Sequence, residues 1–248
     1  MVHAAGPTLK DGELEVDVLR AGLATFRDLS PFTALLSEDE RRRAEGYKMD
    51  EPRDVFILAR GLLRLELARR MNVGPDAIHF DLRPSGKPDV RSAEGRPDWR
   101  FSVSHTGAHV AIAIALGVDV GIDIERLGRE VEPLQIARRY FTPWELFSLE
   151  AIPPEARTRA FFAGWTRKEA MVKARGHTMA ESLATLSVDL DPEEANPEYE
   201  DAESVATRPQ CRLTAFELRE SNLIGAVALK SDLVPRLRFN VVSTPRFD

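Results

Sequence analysis

Three carboxylates and one ammonium stand at spacings that suit work on a pyrophosphate. Asp123 and Glu125 are two apart in Gly121-Ile122-Asp123-Ile124-Glu125, and Glu169 and Lys173 are four apart in Trp165-Thr166-Arg167-Lys168-Glu169-Ala170-Met171-Val172-Lys173. On a strand, alternation puts both acids of the first segment on one face, while Ile122 and Ile124 point into a core. Neighbouring carboxylates repel unless a positive charge lies between them. A hard cation held through oxygen, such as Mg²⁺, resolves that conflict. On a helix, Glu169 and Lys173 share a face, and Lys168 is rotated about 100° away. Each pattern also has a plainer reading. Asp-x-Glu is common on exposed strands, and a Glu–Lys helix pair is ordinary surface decoration.

Further polar residues cluster in short motifs. Ser104-His105-Thr106-Gly107 falls at a predicted strand end, where Ser and His suit phosphate oxygens. A Ser-His-Asp hydrolase triad is disfavoured. Adjacent residues of a strand face opposite ways, and the chain has no G-x-S-x-G elbow. Gly86-Lys87-Pro88 is a turn with one cation, and Arg41-Arg42-Arg43 opens a helix followed by Arg53 and Arg60. The plain alternative for these arginines is a solvated helix face. No Walker loop or G-x-G-x-x-G is present, and the five histidines are scattered rather than clustered as metal ligands.

The remaining sequence must position these groups. The chain has 248 residues, 43% hydrophobic and 30% charged, enough for one large domain or two small ones. A formal charge of -6 argues against non-specific nucleic-acid binding. One cysteine, Cys211, excludes an intrachain disulfide and a cysteine zinc site, and reads as a small buried apolar group. No apolar run approaches the roughly 20 residues that span a bilayer, and residues 1–10 lack a secretory pattern. The expectation is a cytoplasmic protein with no membrane or nucleic-acid partner.

Periodicity predicts strands over 14–19, 78–82, 101–105, 110–116, 118–124 and 186–190, with a closing hairpin over 211–218 and 224–229. Helices are predicted from the Ser37/Glu40 capping box, over 52–71, over 132–139, from Thr142-Pro143-Trp144-Glu145, and over 155–174 with Gly176 as the stop. Residues 84–88 read as a turn, 106–109 as a longer hairpin loop, 191–204 as an exposed acidic loop, and the segment after Leu237 as a loose tail. Helices and strands grouped in runs give an α+β class with two similar halves, 1–116 and 117–248, joined near Gly117. Each half is expected to run helix, helix, then strands.

Taken together and in this order, the motifs resemble those of the 4′-phosphopantetheinyl transferases, specifically the larger two-lobed type. The resemblance runs from about Leu14 to about Leu229. It rests on Gly86-Lys87-Pro88, Phe101-Ser102-Val103-Ser104-His105, Val120 to Glu125, and Phe161-Phe162 through Lys173. It implies a pseudo-twofold α+β fold with coenzyme A in the cleft between the halves. It further implies Mg²⁺ on Asp123, Glu125 and Glu169, and Lys173 on the phosphates. Lys87, Pro88, Ser104 and His105 would surround the nucleotide, and Arg43 would meet the 3′-phosphate. Glu169 would be the base, directly or through water. The implied activity moves phosphopantetheine from coenzyme A to a serine of an acyl or peptidyl carrier protein, with 3′,5′-ADP leaving and the enzyme a monomer. Ser102 stands where asparagine is common, and Val55 where a basic residue is often found, with Arg53 as a substitute. Arg138, Arg139 and Phe141 are candidates for carrier docking. A Mg²⁺-dependent nucleotide pyrophosphate hydrolase and a non-catalytic carrier-binding module remain the alternative readings.

Overall fold

A computed structural model describes residues 10–84, 86–90, 97–176, 183–201 and 211–243. In chain order the elements form two copies of one plan. The first copy is β1 (Glu13–Gly22), α1 (Ser30–Leu35), α2 (Glu38–Glu45), α3 (Asp50–Met71), β2 (Phe80–Leu82), β3 (Pro88–Val90), β4 (Trp99–Thr106) and β5 (His109–Leu116). The second is β6 (Val120–Arg126), α4 (Pro133–Tyr140), α5 (Pro143–Ala151), α6 (Pro154–Arg175), β7 (Leu186–Val188), β8 (Tyr199–Asp201), β9 (Arg212–Leu218) and β10 (Leu223–Leu229). The sheets repeat the plan as well, β1-β5-β4 in one half and β6-β10-β9 in the other, with neighbours antiparallel. The fold is therefore α+β with two like halves. Each half opens on a strand, which the expected helix-then-strand order omitted.

Local chemistry explains the helices that carry the site. Ser37 and Glu40 form a reciprocal capping box on α2, with Ser37 N–H donating to Glu40 Oε2 at 2.8 Å. Thr142 and Glu145 do the same on α5 at 2.7 Å. The two long helices, α3 and α6, are 22 residues each, and each stops at a left-handed residue, Asn72 (φ 53°) or Gly176 (φ 69°).

Helix α3 buries Leu58, Leu62 and Leu67 against Phe101, Ile112 and Ile114 of the first sheet. Helix α6 buries Phe161, Phe162 and Met171 against Ile224, Ala226 and Ala228 of the second. A third core lies between the sheets, where Val16, Val18 and Ala113 meet Ile122, Ile124 and Val227. Gly121 sets how closely α6 approaches β6. A Cβ there would lie 1.9 Å from the Ala170 carbonyl oxygen, so no larger residue fits without moving the helix.

Four local expectations change. Of the segment after Leu237, residues 238–241 are not a loose tail but belong to β11 (Val234–Val241), which pairs in parallel with β1, while residues 244–248 lie outside the described residues. Leu237, Phe239 and Val241 alternate with Arg238 and Asn240, and Phe239 meets Phe216 edge-on at 5.0 Å. The hairpin loop after β4 is short, because Thr106 pairs with His109 and only Gly107-Ala108 turns. Pro88 begins β3, paired with β2, rather than ending a turn. Part of the acidic segment forms β8, paired with β7, and its residues 202–204 lie outside the described residues. Among the described residues no helix is long and apolar enough to cross a membrane.

Candidate active site

The halves meet where β4 runs beside β6, which belongs to the other sheet. Hydroxyls of β4 bridge the join. Ser102 Oγ accepts from Ile122 N–H at 3.1 Å, and Ser104 Oγ accepts from Ile124 N–H at 3.2 Å. The same Ser104 hydroxyl donates to Asp123 Oδ1 at 2.7 Å, and Thr106 Oγ1 donates to Glu125 Oε2 at 2.8 Å. Alternation places residues 102, 104 and 106 on one side of β4, so one row of hydroxyls fixes both the β6 backbone and its two acids.

From the other side, α6 brings Glu169 and Lys173. Lys173 Nζ donates to Asp123 Oδ1 at 2.7 Å and to Ile122 O at 3.1 Å, and lies 3.9 Å from Glu169 Oε2. Glu169 is only 6% exposed. Burial, then the charge of Asp123, push its carboxyl up to about 7, with Glu125 adding and Lys173 opposing. Asp123 and Glu125 therefore act on Glu169 across the β6–α6 interface. Glu125 is also paired with Arg129 at 3.1 Å.

Among the described residues no three His, Cys, Asp or Glu side chains are drawn together closely enough to enclose an ion. Lys173 instead neutralises Asp123, and Arg129 neutralises Glu125. The donor chemistry nonetheless fits a hard divalent cation. All three donors are carboxylates, and Glu169 is buried with more negative than positive charge around it.

Beside this cluster opens a cleft of about 420 Å³, a size typical of small-molecule sites. Arg43, Tyr47, Phe56, Arg60 and His105 line it from the first half, and Lys173 and Gly176 from the second. The Arg43 guanidinium sits 5.1 Å over the Phe56 ring, and that of Arg60 sits 4.6 Å over Phe80. Rings and cations side by side suit a flat base carrying phosphates.

Of the residues expected to contact coenzyme A, Arg43, Lys87, Pro88, His105 and Lys173 line the cleft. Ser104 is buried behind them and spends its hydroxyl on Asp123 and β6. Lys87 Nζ donates to the carbonyls of Val120 and Lys173, both at 2.8 Å. Arg53 does not stand in for Val55. It pairs with Asp50 at 2.9 Å and Asp54 at 3.0 Å, and Val55 is core. Within the arginine triplet, Arg42 pairs with Glu38 and Arg41 donates to Leu36 O, so Arg43 is the member that reaches the cleft. Phe141 is buried against Phe161 and cannot dock a partner.

Residues 119–221 match the family model described as the 4′-phosphopantetheinyl transferase superfamily, and residues 24–116 match the model described as 4′-phosphopantetheinyl transferase, N-terminal. The transferase HetI of Nostoc sp. is 33% identical over 166 residues, which is 67% of this chain and 70% of that protein. The chain belongs to the 4′-phosphopantetheinyl transferases. A Synechocystis sp. protein that carries the name of this activity is 35% identical over 64% of this chain and 65% of its own length. The transferase Sfp of Bacillus subtilis is 28% identical over 64% of this chain and 68% of its own. The chain thus spans about two thirds of the length of these relatives. At this site, sequence reasoning missed Thr106, Arg129, Tyr47 and Phe56. The first had a signal, since hydroxyls at 102, 104 and 106 repeat with strand period. Phe56 and Arg60 likewise stand one helical turn apart on α3.

Proposed function

We propose that the cleft binds coenzyme A and that the enzyme transfers its 4′-phosphopantetheine arm to a serine of an acyl or peptidyl carrier protein. The observation that carries this is Glu169, buried within the influence of Asp123 and Glu125 and beside Lys173, which itself lines the cleft of arginines and aromatic rings. Arg43 takes the 3′-phosphate, and His105 with Lys173 faces the pyrophosphate. Asp123, Glu125 and Glu169 would hold Mg²⁺, which when bound would offset the charge that develops on the leaving phosphate. The serine oxygen attacks the β-phosphorus, the bond to 3′,5′-ADP breaks, and the serine proton passes to Glu169 or to a water it holds.

Both cleft walls come from one chain, which supports a monomer as the working unit. The single buried Cys211 suits the cytoplasm, where thiols stay reduced. For the carrier, Arg138 and Arg139 on α4 remain docking candidates, joined by the exposed α5 rings Trp144 (59%) and Phe147 (72%). Alanine at Arg138 and Phe147 together should raise KM for the carrier without changing KM for coenzyme A. An unchanged carrier KM removes that surface.

The deciding experiment is mass spectrometry of a panel of apo carrier proteins after incubation with coenzyme A and Mg²⁺. The expected result is a gain of one phosphopantetheine on serine. No gain on any carrier with folded enzyme overturns the proposal. Coenzyme A cleaved without a carrier identifies a pyrophosphate hydrolase instead.

A further inference from the structure

We infer that Lys87, together with Arg83, is a positioning residue: the turn that carries them clasps the two halves and holds the end of α6, with Lys173 and Glu169, against β6. This rests on the cleft being the coenzyme A site. Lys87 Nζ donates to Val120 O, at the start of β6, and to Lys173 O, in the last turn of α6, each at 2.8 Å. Carbonyls of a last helical turn lack partners within the helix, and a cation there also suits the helix dipole.

Four residues earlier, Arg83 forks onto Asp119, with Nη1 to Oδ2 at 3.0 Å and Nη2 to Oδ1 at 2.7 Å. The same guanidinium reaches Asp89 at 2.8 Å, and Arg100 of β4 also reaches Asp89 at 2.7 Å. Asp119 directly precedes β6. One connection of the first half is thus tied to the second at Asp119, Val120 and Lys173.

The surroundings of Lys87 point the same way. Burial holds the Lys87 pKa down to about 8, with Asp119 and Asp89 opposing and Arg83 and Arg100 adding to the shift. A lysine kept for phosphate would turn its donors to the cleft. Two of the three donors here are spent on main-chain carbonyls of the other half. Their loss would remove the side-chain donor from the Val120 carbonyl, leave the Lys173 carbonyl only the Gly176 N–H at 3.3 Å, and untie the last turn of α6 from β6.

The test compares Lys87→Met, which keeps the stem, with Lys87→Arg, which keeps the charge but presents a rigid planar fork unsuited to those two carbonyls. For both we expect kcat to fall by about ten- to a hundredfold, as for a small misplacement of reacting groups. KM for coenzyme A should stay within about twofold, and amides in the last turn of α6 should exchange hydrogen faster before coenzyme A is added. A KM raised about tenfold with kcat kept, or normal kcat in Lys87→Arg, overturns the clasp and makes Lys87 a phosphate ligand. Should Lys87→Met not fold, the arginine variant decides the question. Wild-type exchange supplies a second decision: protection of that turn without coenzyme A supports the clasp, and protection only after coenzyme A is added refutes it. Failure of the cleft reading itself would show separately, as normal activity in Glu169→Gln.

Discussion

Lys168 and Glu169 are neighbours on α6, both nearly removed from water, and they do opposite work. Lys168 and its partner Glu145 are each 0% exposed. Glu145 accepts from Lys168, from Thr142 N–H at 2.7 Å and from Val188 N–H at 2.9 Å, and the Lys168 ammonium lies 4.9 Å over the Phe141 ring. Burial lowers the Lys168 pKa and Glu145 opposes the shift. Every charge in that pocket has a counterpart, so it ties α5, α6 and β7 together. One residue on, Glu169 faces two more acids and a single lysine, and its proton affinity rises. A balanced buried charge builds the fold, whereas an unbalanced one leaves binding energy for a cation or a proton.

The sharpest test of the balanced side is Lys168→Met. It strands the Glu145 carboxylate and should cost about 3–5 kcal/mol in denaturant unfolding. A cost below about 1 kcal/mol would show that the pocket is not a lock. On the unbalanced side, Glu169→Gln should lower carrier modification by about a hundredfold or more, as loss of a metal-site group does. It should not lower Tm at pH 8. The sign follows from linkage. The folded protein holds the Glu169 proton up to about pH 7, against a reference value of 4.5, so its favourable contribution is full below pH 4.5 and lost as pH rises through 7. At pH 8 the wild type bears a repulsion that glutamine lacks.

The same asymmetry predicts that Mg²⁺ raises Tm more at pH 8 than at pH 6, because at the lower pH it must displace a proton from Glu169. Equal shifts in a calorimetric series with and without chelator would count against Glu169 as a ligand. The smallest expected effect is that of Ser104→Ala. Losing the bond to Asp123 and leaving Ile124 N–H unpaired should cost about 1–2 kcal/mol of stability. The Mg²⁺ concentration for half-maximal rate should rise about tenfold as Asp123 loses its support. An unchanged Mg²⁺ response would reduce the hydroxyl row to a purely structural join.

Some of this was legible before any coordinates. The period-two pattern of Gly121 to Glu125 placed Asp123 and Glu125 opposite Ile122 and Ile124, which are indeed buried. The capping boxes at Ser37 and Thr142 and the stop at Gly176 stand where local chemistry put them. Strand β11 was missed although Leu237 to Val241 alternate, because a strand that pairs with the opposite end of the chain carries no local turn signal. Residue type marks Ser104 and Lys87 as able to bond phosphate but does not tell that their hydrogen bonds here run to Asp123, β6 and main-chain carbonyls.

The sequence by itself determined the long helices and most of the longer strands, the family and the pairing of acids on one strand face, since these depend on interactions within a few residues and on recurrent motifs. Only the tertiary structure decided which charges are satisfied. Whether Glu169 meets Asp123, whether Lys168 meets Glu145 and whether Lys87 spends its donors on main-chain carbonyls of the other half depend on how α6 lies against β6. That approach is set by Gly121 touching Ala170, a contact between residues 49 positions apart that no local pattern records.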